Sequence, residues 1–176
     1  MALGSTVYKV ELNISDMDRH YYASHSLTLA RHPSETEERL MLRLLAFALN
    51  AQESLQFGKG LSDSDEPALW RKDLTGVIEQ WIELGQPDEQ RLRQASGRAG
   101  EVLVYCYGRA GEIWWERHAT ALARIRNLRV FEIGETTCRE LSELAARKMD
   151  LQCLIQDGAV QMMDATRSVD VGLIAR

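Results

Sequence analysis

Residues 102–107, Val-Leu-Val-Tyr-Cys-Tyr, are apolar with almost no relief. A strand of that kind belongs in the middle of a sheet, because both of its faces must be covered. The segments around it set the rest of the architecture. Residues 6–14, TVYKVELNI, place Tyr8, Val10, Leu12 and Ile14 on one side and Val7, Lys9, Glu11 and Asn13 on the other, the period of a half-buried strand. Ser15 to Asp18 is a turn cluster and Tyr22 to Arg31 is extended again, which predicts an opening β-hairpin.

His32-Pro33-Ser34 ends that strand. Ser34 and Glu37 have the spacing of a capping box, in which each side chain satisfies a free backbone N–H of the first helical turn. Leu40, Met41, Leu44, Leu45, Ala48 and Leu49 then form an apolar stripe at helical spacing, and the helix is expected to run to about Leu55. Short strands follow at Gln56–Leu61, Ala68–Lys72 and Val77–Leu84, with Gly58 and Gly60 allowing close backbone approach. Asp88 caps a helix through Arg98. Beyond Tyr107 the pattern predicts a helix near 110–123, a strand at 128–133 and a helix at 137–148. A hairpin over 151–164 turns at Asp157-Gly158, and an alternating strand occupies 169–174. The order is that of one mixed α/β (α+β) domain spanning 1–176, with a hairpin at each end.

Composition excludes several classes. The 176 residues are 45% apolar and 27% charged, without a run of about 18 apolar residues, so no membrane span is expected. The N-terminal MALGSTVYKV has neither a basic segment nor a long apolar one, which argues against export and for a cytoplasmic location. Cys106, Cys138 and Cys153 are scattered, and neither zinc-ligand spacing nor a disulfide framework is visible, so they read as buried thiols. No organic cofactor is implied. A net charge of −5 does not suit broad nucleic-acid binding, which leaves room only for a localised basic contact.

The chemically suggestive segment is VIEQWIELGQPDEQRLRQA, residues 77–95. In an extended strand Glu79, Trp81 and Glu83 share a face near the strand's C-terminal end, just before a helix, where α/β sheets usually expose their chemistry. Paired carboxylates suit Mg²⁺ or Mn²⁺, which take oxygen ligands; a bound ion of this kind activates water and stabilises phosphoryl charge. Further carboxylates are available from Asp63, Asp65, Glu66 and Asp73, and Glu38 lies along the edge of the helical stripe. A solvated strand face and an acidic first helical turn are the ordinary alternatives for these residues. The run Arg91, Arg93, Arg98 reads either as a solvated helix face or as phosphate contacts. Trp70, Trp114 and Trp115 read as packing residues.

The blocks LTLARHPSETEERLMLRLLAFAL (27–49), FGKGLSDSDEPALW (57–70), WIELGQPDEQRLRQA (81–95) and IQDG (155–158) resemble the YaeQ family over essentially the whole chain. Its members are small bacterial proteins without an assigned activity. The resemblance implies a divergent PD-(D/E)XK, or restriction-endonuclease-like, core: a mixed sheet flanked by helices. On that likeness Glu38 matches the helical glutamate, Glu83 the first position of the (D/E)XK element, and Gln94 a glutamine on the following helix. Two positions depart from the pattern. Ala68 stands where a metal-binding aspartate is expected, and Gly85 where the lysine is expected. Glu66, Asp65 or Asp73, or Glu79 from the same strand, would then substitute as metal ligand, and Lys59 or Lys72 on neighbouring strands would supply the ammonium. The implied function is a Mg²⁺-dependent phosphodiesterase or nuclease with a degenerate site. The alternative is a non-catalytic protein that binds nucleic acid or protein and keeps the fold.

Overall fold

The computed structural model describes residues 4–59, 61 and 64–176. It divides into two compact units, residues 1–51 with 136–172 and residues 52–135 with 173–176. Both are mixed α+β.

The first unit contains a five-stranded sheet ordered β10-β9-β8-β1-β2. Strands β1 (Thr6–Asp16) and β2 (Tyr21–Arg31) form the expected antiparallel hairpin. It is longer than the sequence suggests, because Ser15 and Asp16 continue the ladder opposite Tyr22 and Tyr21. Tyr8, Val10, Leu12 and Ile14 are buried, as the alternation requires. Strand β8 (Lys148–Gln156) lies parallel to β1, with Lys9 beside Lys148. It returns through Asp157 (φ 52°) and Gly158 (φ 78°) into β9 (Ala159–Met163). Positive φ at both central residues is the geometry of the type I′ turn. Strand β10 (Ser168–Val171) completes the sheet.

Helix α1 (Glu37–Asn50) differs from expectation at both ends. Its N-cap is Thr36, whose hydroxyl accepts the Arg39 N–H at 3.1 Å, and the Ser34–Glu37 capping box does not form. Glu35 N–H instead donates to His32 O, while the Ser34 hydroxyl pairs with His32 Nδ1 at 2.6 Å. That turn delays the helix. At the other end Ala51 leaves the helical region and Ser54 takes φ 74°, so the chain is free to enter a strand at Leu55. Leu40 through Ala48 are buried around the whole circumference, as expected of a helix that is apolar on all sides. The exception is Arg43, which donates to the buried carboxylate of Glu35 at 2.6 Å. Helix α4 (Glu135–Ser142) stops well short of Lys148. The Ser142 hydroxyl bonds back to Arg139 O, and pairing of residues 148–156 with β1 overrides the helical preference of Ala145 and Ala146.

The second unit contains a six-stranded sheet ordered β11-β7-β6-β5-β4-β3. Strands β3 (Leu55–Phe57), β4 (Leu69–Lys72) and β5 (Ile78–Leu84) form an antiparallel meander. The first of these is shorter than expected, and part of its predicted extent, Gly60, lies outside the described residues. Strand β6 (Ala99–Tyr107) lies between β5 and β7 (Leu128–Ile133), parallel to both. The apolar run 102–107 is thus central, as its composition demanded. Helices α2 (Glu89–Arg98) and α3 (Gly108–Leu122) pack beside β6. They enclose a core of Trp81, Leu92, Val102, Val104, Cys106 and Trp114. The predicted strand 169–174 is broken: at Gly172 the chain leaves the five-stranded sheet, and β11 (Leu173–Ala175) pairs with β7. No helix among the described residues is long and apolar enough to cross a membrane.

Candidate functional site

The residues singled out around 77–95 meet in the second unit. Strand β5 carries Trp81 and Glu83 on the face covered by α2. Trp81 is buried in the core, and its indole Nε1–H donates to Glu83 Oε1 at 2.8 Å. Glu83 itself is only 7% exposed. A carboxylate this buried requires a cationic partner, and Arg91 provides it, donating from Nε to the same Oε1 at 2.6 Å. Arg91 is placed by its own helix start, where the Asp88 carboxylate accepts the Arg91 N–H at 2.7 Å.

The guanidinium does more than neutralise Glu83. Nη2 donates to Glu66 O at 3.0 Å and Nη1 to Ser64 O, so one side chain ties the 64–66 loop to the end of β5. The Arg91 and Arg98 guanidinium carbons lie 5.9 and 5.1 Å from the Trp81 ring centre, within the range of cation–π attraction. A cavity of about 50 Å³ among Asp65, Trp81, Arg91, Gln94 and Arg98 has room for a water or two.

The remaining expected site residues are distributed as follows. Gln94 is exposed on α2 and lines that small cavity with Asp65. Glu66 turns its carboxylate to the Lys59 backbone N–H at 2.8 Å, a closure from residue 66 back to residue 59. Gly58 allows this closure, since a Cβ there would lie 2.0 Å from Pro67 O. Asp63 lies outside the described residues. Glu79 does not share the surroundings of Glu83. The ladder between β4 and β5 shifts by one residue, with Arg71 opposite Gln80 but Lys72 opposite Ile78. This bulge sends Ile78 to the core that holds Trp81 and leaves Glu79 at the surface, paired with Arg71. Glu38 belongs to the first unit, half-buried in the first turn of α1. Among the described residues no three His, Cys, Asp or Glu side chains are grouped as they would be around a metal ion.

Gly85 now has a structural reason. Its φ is +94°, and its N–H donates to Tyr105 O at 3.0 Å as the chain leaves β5. A lysine there would be strained by its backbone alone. Two features escaped the sequence. One is Arg91 as the partner of Glu83, legible only as an arginine one turn inside a capped helix. The other is the buried Glu35, which accepts from Arg39 Nη1 at 2.5 Å and Arg43 Nη2 at 2.6 Å. The four-residue spacing of 35, 39 and 43 was the available signal, with Glu35 just ahead of the helix that carries the two arginines.

All three cysteines are buried and free. Burial, reinforced by nearby Glu132, pushes the Cys106 thiol up to about 12. Burial, reinforced by Asp16, does the same for Cys153, again to about 12. Neither is a nucleophile at neutral pH.

The sequence matches the family model described as YaeQ protein over residues 1–173. "Uncharacterized protein YaeQ" of Salmonella typhi is 48% identical over 177 residues, covering 99% of this chain and 97% of that protein. Its namesake in Escherichia coli (strain K12) is 45% identical with the same coverage. The crystal structure of YaeQ protein from Xanthomonas axonopodis pv. citri superimposes with a TM-score of 0.94 at 55% identity, over 98% of both chains. That of YaeQ protein from Pseudomonas syringae gives 0.92 at 40% identity, over 97% of this chain and 95% of that one. The chain belongs to the YaeQ family.

Proposed function

We propose that this chain is a non-catalytic nucleic-acid-binding protein built on a restriction-endonuclease-like core. In this reading an internal ion pair takes the place of the catalytic metal centre. The order α1, β3, β4, β5, α2 supports the core assignment. The observation that carries the functional reading is the Glu83–Arg91 contact of 2.6 Å. The carboxylate best placed to face a metal already receives a guanidinium and an indole N–H, so Mg²⁺ or Mn²⁺ at that oxygen would meet a fixed positive charge. Gly85 leaves the strand end without an ammonium, and Glu66 and Glu79 are engaged elsewhere. The residues as arranged do not fit a Mg²⁺ site. With Arg91 on Glu83 and Arg93 on Glu89, Arg98 is the α2 arginine left to meet phosphate, at the surface beside Arg91.

Isothermal titration with Mg²⁺ and Mn²⁺ at millimolar concentration tests this. The expected result is no saturable heat, with single- and double-stranded DNA and RNA left uncleaved. Saturable Mn²⁺ binding that disappears in Glu83→Gln, together with cleavage, would restore the metal-dependent phosphodiesterase reading.

A further inference from the structure

Two cavities of the second unit meet at the segment joining α3 to β7. The first, about 410 Å³, is lined by Arg93, Ser96, Arg124 and Arg126. The second, about 380 Å³, is mainly apolar, lined by Trp115, Leu122, Leu128 and Val130. Ile125 and Arg126 border both. Both are depressions open to solvent, the arginine-lined one the shallower, so a ligand there would stay partly exposed.

The arginine-lined cavity is rigid at its floor. The Asn127 amide donates to Ser96 O and Ala99 O, both at 3.0 Å, and its carbonyl accepts the Ser96 hydroxyl at 2.5 Å. This fixes the end of α2 to the 124–127 segment. Arg93 is held by Glu89 at 2.6 Å. Arg124 and Arg126 are exposed, and among the described residues neither is paired with a carboxylate. On a chain of net charge −5, Arg124 and Arg126 beside the Glu89-paired Arg93 make a locally basic lining. The planar guanidinium forks suit an anion that offers pairs of acceptor oxygens, as phosphate does. The adjoining apolar cavity, with the half-buried Trp115 ring at its wall, fits a flat ring attached to that anion. Phosphate beside an aromatic base is the chemistry that satisfies both halves.

We propose that these joined cavities hold one nucleotide unit of a single-stranded nucleic acid. Its base lies against Trp115 and its phosphate on Arg124 and Arg126. This site uses none of the Glu83–Arg91 pair, although Arg93 and Ser96 share α2 with Arg91, and it rests on the nucleic-acid reading above.

The test is fluorescence anisotropy of the full chain with labelled short oligothymidylate and oligouridylate across a salt series. Wild type binds, with log K falling linearly against log salt. Arg124→Ala/Arg126→Ala weakens binding at least tenfold at low salt. It also lowers the slope by ~0.7, because the one phosphate held by both arginines contributes ~0.7 for a single strand. Trp115→Leu weakens binding about 5- to 100-fold at every salt concentration with the slope unchanged, as loss of stacking does. Arg117→Ala, an exposed arginine of α3 outside both cavities, changes affinity less than twofold. Oligonucleotide binding unaffected by the Arg124/Arg126 double substitution would overturn this site and leave the functional proposal standing. Absence of any oligonucleotide binding would overturn both. Binding of thymidine monophosphate through the same arginines, without oligonucleotide binding, would overturn the single strand as occupant.

Discussion

Replacing Arg91 by alanine should cost the fold far more than neutralising its partner. Two unit charges about 4 Å apart attract by ~4 kcal/mol at an effective dielectric of about 20. The Arg91 side chain keeps 28% of its surface in solvent, and screening on that side leaves ~2 kcal/mol of the attraction. Arg91→Ala also strands Glu83, whose side chain is only 10% exposed, with the Trp81 indole as its one remaining donor among the described residues. An uncompensated buried charge raises the expected loss to about 2–4 kcal/mol. Glu83→Gln keeps the volume and an acceptor for Trp81, and the released guanidinium rehydrates, so its loss is about 1 kcal/mol. In the double variant no buried charge remains, and the total should fall below that of Arg91→Ala alone. Guanidinium unfolding of the four proteins, with free energies taken from midpoint and slope, measures this cycle. Additivity within ~0.5 kcal/mol, or a larger loss in Glu83→Gln than in Arg91→Ala, would refute the argument that the pair is a closed ionic unit.

Gly85→Lys, which restores the expected lysine, should destabilise the fold by about 1–2 kcal/mol because φ there is +94°; a thermal melt unchanged from wild type would contradict this. Gly58→Ala should cost ~2 kcal/mol or more in guanidinium unfolding, since its Cβ would lie 2.0 Å from Pro67 O; an unchanged midpoint would contradict this. Thiol reagent at pH 8 should leave Cys106 and Cys153 unmodified until denaturant is added, as both titrate near 12. The Asp73 carboxyl is held below its ordinary value of 3.8, first by the Thr75 hydroxyl and then by the Val77 N–H. Its support for the 73–77 turn is therefore full above that ordinary value and lost as pH falls through the lower folded one. An NMR titration that finds Asp73 at or above 3.8 would contradict this.

The elements legible in the sequence were those whose residues leave one option. An apolar run such as 102–107 has nowhere to go but the inside of a sheet, and Asp157-Gly158 has the backbone freedom its turn needs. What stayed hidden was decided at a distance. Residues 143–147 favour a helix locally, yet strand pairing of 148–156 with β1 ends it early. The 169–174 alternation says strand without saying which sheet, and Gly172 divides it between two. At the site, spacing located Glu83 at the end of a strand. It placed Glu79 on the same face, because a period of two cannot foresee the bulge opposite Arg71 and Lys72. It was silent on Arg91, because contact across eight residues and a turn depends on how α2 leans on β5.

The parallel pairing of β1 with β8 bears on how the chain is made. Lys9 meets Lys148, so β1 must wait for well over a hundred further residues to be synthesised before its second neighbour exists. Closing so long a loop from an open chain is slow. All of β3 to β7 lies within that interval, and their prior collapse would shorten the open span that remains to be closed. Until β8 arrives, the hairpin of β1 and β2 presents Tyr8, Val10, Leu12 and Ile14 beside an unpaired backbone edge. A nascent chain halted between residues 135 and 148 is therefore the species of this protein most exposed to strand-to-strand aggregation.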